Sequence, residues 1–475
     1  MKIERLVVRL RGHVAALSMT VASSIILTGC AFLGVPQQQR RLDATCRIQG
    51  RAEVAGAKQG AIVVLLLRKG DGTGEAPAAW RIVDHFVLER PGPWAFASGP
   101  GTFRVAAFED SNSDVAYEPG EPFVGTGVAQ PIACSAGAHI KGIVLSIPAQ
   151  PTERFDRELD VVSLQALSAD AKDERTLGQL TAVGEITTLA DPRFDLSKSS
   201  DGLWRPYDYM QTSQPGVYFL EPYDPHRIPV LFVHGITGSP ANFTYLIEHL
   251  DKTRFQAWVY NYPSGIHLAA VADHLNQTIE KIELRYHVRR MAVIAHSMGG
   301  LVARGFILRH ALTSSSGEIP LFVSMATPWD GHDGASFGVK YSPVVVDVWR
   351  DMAPGSDYLQ SLFDVPLPKE TKFHLLFAYR RNSASMGESD DRTVTVASAL
   401  AVGAQRDAVR IYGFDDTHDG ILEDPATSTL LETLLAETFL GKQAALQNPW
   451  PGRSGALHVT ESQGDYGYEP VSSRP

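Results

Sequence analysis

Basic residues are not in surplus in this chain. Lys and Arg number 43 against 53 Asp and Glu, for a net charge of −10 and a pI near 5.8. No Lys/Arg stripe stands out either, so the electrostatic footprint of a DNA- or RNA-binding surface is missing. The N-terminal apolar segment Val14 to Leu27 falls short of the ~20 residues that span a bilayer, which argues against a transmembrane anchor. Cysteine is scarce, with three in 475 residues, so one disulfide is the most the chain can form within itself. What is present is a chain with 44% hydrophobic residues, too long for one ordinary core, and two domains with appendages are expected.

Lys2, Arg5, Arg9 and Arg11 precede the apolar segment, and Leu27-Thr28-Gly29-Cys30 closes it. That order reads as a secretory signal over residues 1–29. Its end resembles the bacterial lipobox, which implies cleavage before Cys30, lipidation of the Cys30 thiol and a membrane as partner. Ala31 stands where Asp is associated with inner-membrane retention, so the resemblance favours the outer membrane of a bacterial cell envelope. Cys46 and Cys134 remain, either as a disulfide in that oxidising compartment or as two buried thiols. Residues 30–45, with Gln37-Gln38-Gln39-Arg40-Arg41, read as a flexible tether.

From 46 to 149, short apolar runs at Ala61 to Leu67, Trp80 to Leu88, Thr102 to Phe108 and Ile140 to Ile147 are separated by Gly and Pro clusters. This spacing predicts a small all-β sandwich. The stretch Pro100 to Phe108 resembles strands of transthyretin-like and carboxypeptidase-regulatory modules. After it, Asp110, Asn112, Asp114 and Glu121 occupy positions 1, 3, 5 and 12 of a calcium loop, hard oxygen donors that suit a structural calcium. Val115 stands where such a loop wants Gly, and the alternative is a polar loop held by Asx turns.

Residues 150–216 read as a connector with a helical-looking segment from Leu159 to Leu180. Beyond Val217, apolar strands alternate with amphipathic helices, the pattern of an α/β domain built on a doubly wound, mostly parallel sheet over 217–440. Strands are expected at Pro229 to Val233, Ala257 to Tyr260, Met291 to Ala295, Leu321 to Met325, Phe373 to Ala378 and Val409 to Gly413. Helices are expected at Ile266 to Leu284, Leu301 to His310 and Thr427 to Phe439. The Pro-, Gly- and Ser-rich tail, 441–475, is expected to be mobile.

The chemistry concentrates at Ala295-His296-Ser297-Met298-Gly299-Gly300, between an apolar strand and a helix. Small residues around Ser297 leave room for a strained turn that lifts its hydroxyl out of the sheet, although Ala295 stands where this motif usually has Gly. A serine nucleophile needs a base, an acid and amide donors, in the chain order Ser, acid, His for this architecture. His418, after the last strand, is the candidate base. Asp391 is the candidate acid, with Asp390 its competitor. The backbone amides of Ile236 and Met298 are the candidate oxyanion donors, and His234 and His296 read as structural.

His234-Gly235-Ile236-Thr237-Gly238, His296-Ser297-Met298-Gly299-Gly300 and Ala326-Thr327-Pro328 together resemble the lipase branch of α/β-hydrolases, including bacterial triacylglycerol lipases and the GPI-inositol deacylase-like and lecithin:cholesterol acyltransferase-like groups. The resemblance covers about 217–440. It implies hydrolysis of carboxylic esters, with an ester or lipid as substrate, through an acyl-enzyme and without a catalytic cofactor. Acyl transfer to another acceptor, amide cleavage, and a surface lipoprotein whose β-sandwich carries the main binding role are the alternatives. The apolar insertion 329–369 reads either as a moving lid or as plain core helices.

Overall fold

The computed structural model describes residues 34–58, 60–69, 80–114, 116–118, 120–125, 131–151, 159–160, 176–314, 317–380 and 390–441. The expected signal segment, Cys30, Val115 and the tail lie outside the described residues. Residues 34–43 form helix α1. This corrects the flexible tether: the glutamines that looked solvated are anchors. Gln38 Nε2 donates to Asp208 Oδ2 at 2.9 Å while its Oε1 accepts the Asp208 N–H, and Gln39 Nε2 donates to Val345 O at 2.8 Å. Val35 is buried in the main core beneath them.

The all-β domain comprises β1 (Cys46–Val54), β2 (Ala61–Lys69), β3 (Trp80–Leu88), β4 (Gly92–Ser98), β5 (Gly101–Asp110), β6 (Ala116–Tyr117), β7 (Phe123–Gly125), β8 (Ile132–Cys134) and β9 (His139–Ile147). One sheet runs β4-β1-β9 and the other β3-β2-β5-β7, with β8 paired to β5. Between them pack Ile48, Ile62, Val64, Leu66, Trp94, Phe96, Val105 and Leu145. The uninterrupted run in β2 has its own explanation. Val63, Leu65 and Leu67 point to the other face and join Phe108, Tyr117, Phe123 and Leu284, the last contributed by the following domain. A strand buried on both faces loses the polar alternation of a half-exposed one.

Cys46 and Cys134 form a disulfide with Cα atoms 5.9 Å apart, tying β1 in one sheet to β8 against the other. The acidic loop after β5 is held largely by its own backbone. Asp110 and Asn112 accept from the Asp114 N–H, and Glu121 accepts from Ser111 and Glu118. Among the described residues, no three of the acidic side chains of this loop come within 4.8 Å of one another.

The strand β10 (Leu159–Asp160) pairs with β6, where a helix was expected, and of that expected helix only α2 (Leu177–Leu180) is seen among the described residues. The α/β domain then begins earlier than Val217. Its eight-stranded sheet has the order β11-β12-β14-β13-β15-β16-β17-β18, with β11 (Ala182–Ile186), β12 (Gly216–Phe219), β13 (Ile228–Val233), β14 (Phe255–Asn261), β15 (Arg290–His296), β16 (Glu318–Met325), β17 (Lys372–Ala378) and β18 (Arg410–Phe414). Only the β12–β14 pair is antiparallel. The stretch expected as a connector therefore supplies an edge strand and the helices α3 (Ser199–Trp204) and α4 (Pro206–Ser213).

Helices α5 (Thr244–Glu248), α6 (Leu268–Tyr286) and α7 (Met298–Thr313) follow β13, β14 and β15. The insertion supplies α8 (Asp333–Tyr341), α9 (Asp347–Met352) and α10 (Asp357–Ser361), and the chain ends its order with α11 (Val396–Ala399), α12 (Val402–Asp407) and α13 (Pro425–Phe439). One sheet face packs on α6, α7 and the insertion, the other on α5 and α13. Val346, Val348, Met352, Leu359 and Leu362 of the insertion belong to the core, and Tyr358 Oη donates to Leu301 O at 3.1 Å. Phe337 and Tyr341, in contact one turn apart on α8 with their rings tilted, stand exposed.

The disulfide closes a separation of 88 residues. Loop-closure entropy puts its contribution at about 4.6 kcal/mol. Guanidinium unfolding followed by tryptophan emission is expected to show a lower midpoint for Cys134→Ser than for the oxidised parent. Adding reductant should move the parent to the variant's midpoint and leave the variant in place.

Candidate active site

Parallel strands end on one side of a sheet, so the loops that leave β13, β15, β16, β17 and β18 share that edge. Ser297 follows β15 with φ 54° and ψ −133°, a conformation L-residues rarely adopt. Its N–H is bound by Met325 O at 2.8 Å and its carbonyl takes the Gly300 N–H at 2.9 Å, which hold the turn from both sides. Thr237, Ala326 and Arg392, on three of the neighbouring loops, also have positive φ. Strain of this kind costs about 1–3 kcal/mol per residue and gathers where function fixes the backbone.

The glycines around Ser297 are required by contact. A methyl group on Gly235 would sit 2.8 Å from Ser297 Cβ, and one on Gly300 would sit 2.0 Å from Thr327 Oγ1. Both distances are below any real carbon contact, so the two loops can close on the serine only where side chains are missing. Ser297 is thereby 4% exposed. The amides of Ile236 and Met298 flank it, and neither donates to a protein acceptor among the described residues. An N–H at the first position of α7 has no acceptor within its own helix.

Backbone geometry gives the two acids different partners. Asp391 Oδ1 accepts the N–H groups of Thr393 at 2.9 Å and Val394 at 2.7 Å, which leaves Oδ2 facing His418 Nδ1 at 2.8 Å. His418 also donates its backbone N–H to Asp391 O at 2.9 Å. Asp390 instead caps Arg392 N–H and bridges to Thr395. Asp391 is 1% exposed and His418 8%. Because a carboxylate only accepts, Nδ1 of His418 is the donor, and in the neutral ring Nε2 holds the lone pair.

The structure places His296 and His234 as supports. His296 Nε2 donates to His418 O at 2.8 Å, and His234 stacks on Tyr262, whose hydroxyl donates to His234 O at 2.5 Å. His332 is a support that the sequence did not signal. It caps α8 by accepting the Gly334 N–H, and its Nε2 donates to Thr393 O at 2.9 Å, steadying the turn that holds Asp391. Arg304, fully buried in α7, pairs with Asp407 and donates to Leu362 O at 2.6 Å, locking the helix behind Ser297 to the insertion.

Burial pushes His234, His274 and His374 down to about 4 and His296 to about 3. A depressed folded-state pKa means the unfolded chain takes the proton first, so the stability these groups confer above pH 6.5 is lost as pH falls. Each contributes a loss of at most about 2 kcal/mol at pH 5. Glu280 works in the opposite sense, since burial lifts it to about 7 and its protonated form is favoured in the fold. Glu283, Glu121, Asp347 and Glu432 are raised by burial in the same sense as Glu280, and His85 is lowered with the other histidines, so the effect of Glu280 is read as a difference from the parent. Between pH 7.5 and pH 5 the urea midpoint of Glu280→Gln is expected to fall further, or rise less, than that of the parent.

A family model described as alpha/beta hydrolase fold matches residues 228–337, from β13 into α8. No curated protein matches the chain. Among solved structures, the mature lipase BlEst2 of Bacillus licheniformis is 17% identical with a TM-score of 0.37, covering 46% of this chain and 97% of its own. Aspergillus fumigatus lipase B is 16% identical with a TM-score of 0.36, covering 47% of this chain and 56% of its own. Phospholipase PlaB of Legionella pneumophila is 18% identical with a TM-score of 0.30, covering 36% and 45%. Likenesses this distant carry no argument about activity. The matched family model and the mostly parallel sheet together identify the fold: the chain carries an α/β-hydrolase fold behind an all-β region of antiparallel sheets.

Proposed function

We propose that the protein is a serine hydrolase of carboxylic esters, with acyl-lipid esters as the substrate class. The observation that carries this reading is the 2.8 Å pairing of His418 Nδ1 with Asp391 Oδ2, with the His418 carbonyl held by His296, the residue before Ser297. In this mechanism Nε2 of His418 takes the Ser297 proton as Oγ attacks the ester carbonyl. The carbonyl oxygen becomes an oxyanion held by the Ile236 and Met298 N–H groups. Collapse expels the alcohol, which receives the proton from His418. Water, activated by the same imidazole, then releases the acid from the acyl-enzyme. Asp391 keeps the imidazole in the one tautomer that serves both steps.

The apolar side chains that the insertion brings to this end of the sheet agree with an acyl chain as the group bound. The same reading holds that the mature chain starts at Cys30, lipidated and carried on the outer membrane of a bacterial envelope. Mass spectrometry of the membrane-extracted protein is expected to find a diacylglyceryl-modified Cys30 at the N-terminus and no residues before it.

The catalytic reading is tested with p-nitrophenyl esters of increasing chain length and a fluorophosphonate probe. The mature protein should hydrolyse the series and take the label, and Ser297→Ala should lose both, with a rate fall of about 10³-fold or more. Asp391→Asn is expected to lower kcat by about 10³–10⁴-fold while Asp390→Asn stays within about threefold of the parent. Equal losses in the two Asn variants would remove Asp391 from the role given to it.

A further inference from the structure

Beside the nucleophile, one ring nitrogen of His296, one of His418 and a carboxylate oxygen of Asp419 all lie within 4.8 Å of one another. The acyl-transfer reading uses His418 alone of these three. Asp419 is exposed and its carboxylate takes no hydrogen bond or ion pair among the described residues. The geometry points to an inhibitory binding site for a divalent transition metal of the zinc class, built from His296, His418 and Asp419 and closing over the catalytic base.

Two features beyond proximity support it. Both imidazoles have one nitrogen committed as a donor: His418 Nδ1 to Asp391 Oδ2 at 2.8 Å, and His296 Nε2 to His418 O at 2.8 Å. In the neutral form each ring keeps its other nitrogen unprotonated, and a carboxylate or carbonyl acceptor on the first nitrogen is the usual outer partner of a metal-ligating imidazole. The donor set, two neutral imidazoles and one carboxylate, suits zinc and leaves a position open to water, whereas calcium and magnesium prefer all-oxygen sites. Zinc bonded at about 2.0–2.2 Å to nitrogen and oxygen sets neighbouring donors roughly 3.4 Å apart. Asp419, with nothing holding its carboxylate, supplies the closing movement.

The consequence rests on the acyl-transfer reading. A metal on Nε2 of His418 takes the lone pair that would accept the Ser297 proton, so zinc and catalysis exclude each other. Carrying a formal −1 charge and one exposed ligand, the site releases the metal to a chelator.

The test separates binding from activity. Isothermal titration of zinc chloride at pH 8 is run on the mature protein, Ser297→Ala and Asp419→Asn. The parent and Ser297→Ala should bind one zinc alike, and Asp419→Asn should weaken that event by about tenfold or more. Binding in Ser297→Ala is independent of ester hydrolysis, so failure of the hydrolase reading would leave this arm intact. In the rate assay, zinc should inhibit the parent, EDTA should restore it, and magnesium should have no effect. Asp419→Asn should keep its zinc-free rate within about twofold and need about tenfold more zinc for half-inhibition. Identical zinc binding in the parent and Asp419→Asn would overturn the site, as would no binding to the parent. Zinc bound with the stated dependence on Asp419 but without effect on hydrolysis would overturn its inhibitory role.

Discussion

Everything at the candidate site depends on one backbone turn that a serine would not choose for itself. At φ 54° and ψ −133°, Ser297 is held between a strand that delivers it and a helix that starts immediately after it. The hold is mechanical. Met325 O takes its N–H, Gly300 returns a hydrogen bond to its carbonyl, and the missing side chains of Gly235 and Gly300 let neighbouring loops approach to contact. Loosening any of these would let the turn relax toward an ordinary conformation, lowering the hydroxyl back toward the sheet. The eight-stranded sheet is the rigid body that makes the strain affordable, and the unpaired amide of Met298 follows from the same abrupt start of the helix.

Much of this was readable in the sequence because it is written in local pattern. Apolar runs bounded by glycine mark β13, β15 and β16, and the small residues around Ser297 mark the turn. The order Ser297, Asp391, His418 could be read from chain position alone. What escaped was set by partners distant in sequence. β11 is a five-residue edge strand whose register breaks at Gly184, so it carries no alternation to notice. Helix α1 looked like a tether because glutamines are polar, and only their partners at Asp208 and Val345 show them to be anchors.

The choice between Asp390 and Asp391 shows the same division. Adjacent carboxylates are equivalent in any reading of spacing. The hairpin from Asp390 to Thr395 makes them different, because Thr393 and Val394 direct their N–H groups at one oxygen of Asp391 and so aim the other at the imidazole. His332, which secures that hairpin by binding Thr393 O, comes from sixty residues away and offers no motif of its own.

The seven apolar residues at the start of β2 divide between two cores. Ile62, Val64 and Leu66 fill the sandwich, while Ala61, Val63, Leu65 and Leu67 face outward in the layer that Leu284 of α6 enters. Lys281 of the same helix reaches Asp84 of β3 at 3.6 Å, both nearly buried. The two halves of the molecule are therefore not beads on a string. A recombination event that joined this hydrolase to a different N-terminal module, or moved the sandwich elsewhere, would strand an oily face on each product, so the pair is expected to be inherited as a unit and to change together across its descendants.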